Sequence, residues 1–172
     1  MNVLRDAAAI RGALTELVEQ ACAEGLQATI CVIGGAAVEL HLGDRGATRD
    51  IDALVFKVGV LDHIVGRIAA ERGWPRNWLN SEARLYASAH DDPLQWTELL
   101  RSGEAVVRVA PVEVLIAMKL YAARGARDFL DLDPLLGHLG WQGDDAAACF
   151  ERYYPHDGLK PAALRYLNAR LA

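Results

Sequence analysis

The chain has 172 residues, 52% of them apolar and 24% charged, which is the composition of a folded protein and excludes a disordered or low-complexity one. That length fits one globular domain, residues 1–172, and the formal net charge of -5 excludes a surface that coats nucleic acid as a whole, so any such contact must be local. Charges from Arg5 to Glu24 interrupt the N-terminal stretch, which excludes a signal peptide or membrane span there and leads us to expect a cytoplasmic protein.

Ile10, Leu14, Leu17, Val18 and Ala21 recur at helical spacing over residues 5–24, with Gly25 as a stop. The β-branched run Ala28–Ile33 reads as a buried strand that enters a tight turn at Gly34-Gly35, and residues 36–42 read as a helix. After a polar loop, Asp50-Ile51-Asp52 opens a strand whose continuation to Phe56 is apolar enough to be covered on both faces. Helical spacing returns from Leu61 to Ala70, and a loop with Trp74 and Trp78 runs on to Asn80. Leu85–Ala87 and Ala105–Val109 read as strands, while Glu98–Arg101 is ambiguous.

Pro111 fits the first turn of a helix that runs to about Ala123. Another begins near Asp128, or else a separate short helix starts at Asp133-Pro134. Helical patterns near 144–152 and 161–171 close the chain. The expected fold class is therefore α+β, a small mixed sheet with helices packed around it. Its core covers about residues 28–136, and a C-terminal helical segment covers about 137–172.

Chemistry is concentrated in three places. Gly34-Gly35 between strand and helix leaves backbone amides free of a hindering Cβ, a phosphate cradle in outline, although a glycine pair also serves as a plain tight connection. The period of two puts Asp50 and Asp52 on one face of their strand and Ile51 on the other. Two carboxylates about 4 Å apart repel by roughly 4 kcal/mol at a partly screened site, so they favour a cation between them, and Mg2+ suits oxygen ligands. The alternative is a pair of solvent-facing strand-end carboxylates. Lys119 falls within the apolar stripe of Val112, Leu115, Ile116, Leu120 and Ala123. An ammonium there needs water or an anion such as a triphosphate, unless its stem reaches the surface.

Val32-Ile33-Gly34-Gly35-Ala36-Ala37 followed by Thr48-Arg49-Asp50-Ile51-Asp52 resembles the nucleotidyltransferase superfamily related to DNA polymerase beta. More narrowly it resembles the AbiEii and MenT-like toxin nucleotidyltransferases, to which Trp78-Leu79-Asn80 and the segment Val112–Arg127 with Asp128 and Asp131 are also similar. The resemblance implies transfer of a nucleoside monophosphate from a nucleoside triphosphate to an acceptor hydroxyl, favoured as the 3′ end of tRNA, with a cognate antitoxin as a further partner. It assigns Gly34, Gly35 and Arg49 to the nucleotide and Asp50 with Asp52 to one or two Mg2+ ions. Lys119 would meet phosphate charge, and Asp128, with Asp131 behind it, would complete the wall of the site. Gly35 stands where many members have Ser, and Ser81 where related sequences often have Asp. Glu82, Glu98 and Glu104 are the candidates for a third carboxylate. The alternative readings are transfer to a small molecule or protein, or a module that binds nucleotide, RNA or a partner without turnover.

Arg45, like Arg49, flanks the acidic pair, but both also fit ordinary surface ion pairs. Trp74 and Trp78 are read as core-packing, and Cys22, Cys31 and Cys149 as small buried hydrophobes. The histidines lack the spacing of a zinc site.

Overall fold

A computed structural model describes residues 6–43, 48–56 and 59–170. The protein is α+β, with a five-stranded mixed sheet and seven α-helices among the described residues. The chain groups into two compact units, Met1–Arg84 with Pro93–Ala110, and Leu85–Asp92 with Pro111–Ala172.

In the first unit, helix α1 (Ala7–Ala23) starts where the Asp6 side chain accepts from the Ala9 amide at 2.8 Å. Its buried face, Ile10, Ala13, Leu14, Leu17, Val18 and Ala21, lies against the sheet and the neighbouring helices. Strand β1 (Ala28–Val32) is central, and its last three residues have no exposed surface. It pairs antiparallel with β2 (Ile51–Phe56) and parallel with β5 (Ala105–Val109). The two-residue β3 (Leu79–Asn80) runs parallel to β2, and β4 (Thr97–Ser102) runs antiparallel to β5, giving the order β3-β2-β1-β5-β4.

Between β1 and β2 lies α2 (Gly34–Leu42), and between β2 and β3 lies α3 (Asp62–Arg72). The expected start of α2 at residue 36 is corrected to Gly34, because both glycines belong to its first turn. The register Val32↔Ala53 brings the exit of β1 beside the entry of β2, and the Ile33 amide donates to the Asp52 carbonyl at 2.9 Å. Pairing alone therefore sets the glycine turn next to the aspartates.

Three local readings change. Leu85–Ala87 forms no strand; a 3-10 turn covers Glu82–Tyr86. The Glu82 amide donates to Asn80 Oδ1 at 2.9 Å and the Arg84 amide to the Ser81 carbonyl at 3.0 Å, local bonds that displace strand pairing. The segment before it is not all loop, since Leu79–Asn80 pairs with Ile51 and Asp52. Glu98–Arg101, ambiguous in the sequence, lies in β4.

The second unit is helical: α4 (Val112–Ala122), α5 (Ala126–Leu139), α6 (Gly143–Tyr153) and α7 (Pro161–Asn168). Helix α5 runs unbroken through Pro134. The ring removes the amide that would meet the Leu130 carbonyl, but Leu130, Asp133 and Pro134 are exposed, and water can replace the bond. Helix α4 is buried nearly all round rather than along one stripe, with Val112, Val114–Leu120 and Ala122 all inside. Trp78 is buried as expected and donates its indole N–H to the Val65 carbonyl at 3.0 Å. Cys31 and Cys149 are buried but Cys22 is exposed, contrary to the expectation for it, because the buried face of α1 ends at Ala21 and residues 22–25 all face solvent. No described helix is long and apolar enough to cross a membrane.

Candidate functional site

Four of the residues singled out in the sequence meet in the first unit. Gly34 has φ +64, the left-handed region that L side chains avoid, and a Cβ there would lie 2.9 Å from Asp52 Oδ2. Glycine is thus required twice over, by the backbone and by the carboxylate against it. Gly35 follows, half-buried like Gly34. The N-cap of α2 is Ile33, whose side chain makes no cap hydrogen bond, so the first turn of α2 opens beside the Asp52 carboxylate without a side-chain cap from its own N-cap residue.

Asp50 and Asp52 are half-buried while Ile51 is fully buried, the alternation expected from strand periodicity. Each carboxylate is oriented by a neighbour. The Asn80 side-chain amide donates to Asp50 Oδ2 at 3.2 Å, and the Ala83 backbone amide donates to Asp52 Oδ1 at 3.3 Å. Behind them the Thr48 hydroxyl, in a buried residue, donates to the Asp50 carbonyl at 3.0 Å. Arg49 is exposed on the chain entering β2, and Arg45 lies outside the described residues.

The second unit gathers Lys119, Asp128 and Asp131. Lys119 is 7% exposed and its Nζ lies 2.5 Å from Asp131 Oδ2 and 3.6 Å from Asp128 Oδ1. The anion demanded by a buried ammonium is therefore supplied within the same unit, by carboxylates from α5. Asp128 also accepts from Arg124, through the backbone amide at 2.9 Å and through Nε and Nη2 at 3.1 Å each. Burial by itself would raise the Asp128 carboxyl. The Arg124 hydrogen bonds, with the charges of Lys119 and Arg124, outweigh it and hold the group below the usual aspartate value.

Asn80 and Arg124 are the polar side chains that sequence reasoning did not assign to a role. Asn80 sits in a strand of two residues, too short for any periodicity to register. Arg124 stands in the connection between α4 and α5, outside any helical period, so its approach to Asp128 left no periodic signal in the sequence. Of the candidates for a third carboxylate, Glu98 lies on β4 at the sheet edge remote from β3 and is paired with Arg101. Glu104 occupies the β4–β5 turn, and Glu82 is exposed just after Asn80. Among the described residues, no group of three or more His, Cys, Asp or Glu side chains is placed to hold a metal.

No family model, no curated protein and no solved structure matches the chain. An uncapped helix N-terminus, a glycine pair and two oriented carboxylates at one end of the sheet form a place that can accept an anion and a hard cation together.

Proposed function

We propose that the protein is a Mg2+-dependent nucleotidyltransferase that moves a nucleoside monophosphate from a nucleoside triphosphate to an acceptor hydroxyl, with the 3′ end of tRNA as the favoured acceptor. The observation that carries this reading is the packing of Gly34, in a left-handed conformation, directly against the Asp52 carboxylate at the uncapped start of α2. A glycine pair that served only as a connection would not require the carboxylate to stand there.

The residues fit the ion. Asp50 and Asp52 present oxygen ligands of the kind Mg2+ takes, one or two carboxylates completed by substrate phosphates. When bound, the ion supplies neutralisation of phosphate charge. Gly34 and Gly35 leave the backbone open for the phosphates to approach the first-turn amides of α2. Asn80 keeps the Asp50 carboxylate turned to one side, and the Ala83 amide does the same for Asp52, so neither has to be reoriented as substrate arrives. Arg49, exposed before β2, would add positive charge toward the phosphates. In the transfer, the acceptor oxygen forms a bond to the alpha phosphorus as the bond to the beta phosphate oxygen breaks, and pyrophosphate leaves.

Lys119 and Asp128 satisfy each other's surroundings inside the second unit, so the reading rests on the first unit's residues. Growth arrest on expression, relieved by a cognate antitoxin, is a cellular consequence of the same reading. The test is incorporation of each alpha-labelled nucleoside triphosphate into total RNA with Mg2+, in wild type and Asp52→Ala. Label on tRNA that is absent from the variant supports the reading. Folded wild-type protein that labels no RNA, protein or small-molecule pool refutes it.

A further inference from the structure

Behind the acidic pair lies a second concavity, wholly within the first unit. Strand alternation sets Val55 with Ile51 and Ala53 on the face of β2 opposite Asp52, and Leu79 pairs with Ile51 on that face. Val55, Leu79, Leu61 and Val65 line a cleft of about 250 Å³ between β2, β3 and the first turns of α3. Its polar wall comes from the chain after α3. Arg76 and Arg84 are both exposed, and neither guanidinium is held by an ion pair to another described residue. Asp62 also lines the cleft, which leaves two guanidinium groups against one carboxylate.

We propose that this cleft binds a small molecule that carries an oxyanion, a phosphate or a carboxylate, on a flat apolar body. Four apolar side chains would give the body its contact, and two guanidiniums without an ion pair to a described residue present planar donor forks matched to an oxyanion. The volume sets the size. Pockets for drug-sized ligands run from about 300 to 1,000 Å³, so this cleft suits a body of about one ring, and its lining includes none of Gly34, Gly35, Asp50 or Asp52. It is therefore not a second view of the proposed donor site. Asn80 borders both, lining the cleft and donating to Asp50.

Gly66 provides a variant that fills the cleft from its wall. It lies in the interior of α3 on the cleft wall, and a Cβ added there meets no atom within 4 Å. The experiment is a backbone-amide NMR titration of the intact chain with phenyl phosphate, benzoate, inorganic phosphate and benzyl alcohol. Phenyl phosphate or benzoate is expected to shift the amides of Gly59, Ser81 and Arg84, and whichever binds more tightly identifies the oxyanion. Inorganic phosphate and benzyl alcohol, each carrying half of the ligand, should bind at least about tenfold more weakly. Arg76→Ala with Arg84→Ala should weaken the better ligand by about tenfold or more, and Gly66→Phe should abolish its binding. Absence of shifts with both phenyl phosphate and benzoate overturns the proposal. So does inorganic phosphate binding as tightly as phenyl phosphate, or a folded Gly66→Phe protein that binds like wild type. These readouts involve no catalysis, so they stand or fall separately from the transferase reading.

Discussion

Replacing Gly34 by alanine tests the geometry on which the candidate site rests. With φ at +64, an alanine would occupy the left-handed region at a cost of about 1–2 kcal/mol. Its Cβ would also stand 2.9 Å from Asp52 Oδ2 and 3.3 Å from Asp52 Cβ, and the latter is fixed to the strand. The carboxylate can swing away only by giving up the bond from the Ala83 amide, worth about 1 kcal/mol. Together these give about 2–3 kcal/mol of destabilisation. Gly66→Ala is the control, because the same methyl added in open space within a helix should stabilise by about 0.5–1 kcal/mol. Urea unfolding followed by tryptophan fluorescence reports mainly on the first unit, which holds Trp74, Trp78 and Trp96. At a slope of about 2 kcal/mol per molar, Gly34→Ala should lower the midpoint by about 1 M with the slope unchanged. If Gly34→Ala matches wild type within about 0.5 kcal/mol, or the two glycine variants shift alike, the argued contact with Asp52 is wrong.

Lys119→Met strips the buried Asp131 carboxylate of its cation and should destabilise the second unit by about 3 kcal/mol, whereas Lys119→Met with Asp131→Leu should recover at least half of that loss; thermal or urea unfolding decides it. Asp128 titrates below its unfolded value, so its contribution is complete above about pH 4 and is lost as pH falls through the lower folded value. Arg124→Gln should narrow that difference and move the acid-unfolding midpoint to higher pH, as circular dichroism would register; an unchanged midpoint would show that Arg124 does not hold the carboxyl down. Under the proposed chemistry, Asn80→Ala frees the Asp50 carboxylate and should cut nucleotide transfer by about tenfold with stability little changed, measured by label incorporation alongside a melting curve.

Several elements were legible because their signals are local. The three-and-four spacing of Ile10, Leu14, Leu17, Val18 and Ala21 gave α1 within two residues, and the β-branched run gave β1. Likewise, the alternation Asp50-Ile51-Asp52 correctly separated two half-buried carboxylates from a buried isoleucine. Strand β3 was not legible, since its two residues are strand only because β2 lies alongside, and neither was the 3-10 turn at Glu82–Tyr86, which overlaps the strand expected at Leu85–Ala87. The buried environment of Lys119 was readable from its apolar neighbours, but its carboxylate partners come from the next helix, and their approach depends on how α4 and α5 pack.

The sequence by itself determined the longer helices and the strands β1, β2 and β5, and that Lys119 carries charge within an apolar helix, because burial of apolar surface repeats with the period of the local backbone. It also held the glycine pair and the aspartate pair, sixteen residues apart by the difference of Gly34 and Asp50, without stating that they meet. Only the tertiary structure decided that. The antiparallel register of β1 and β2 returns the chain to the sheet end it had just left, so Gly34 and Asp52 touch, and β3 then delivers Asn80 to the same place. A strand's neighbours are chosen by long-range pairing, which no local periodicity encodes.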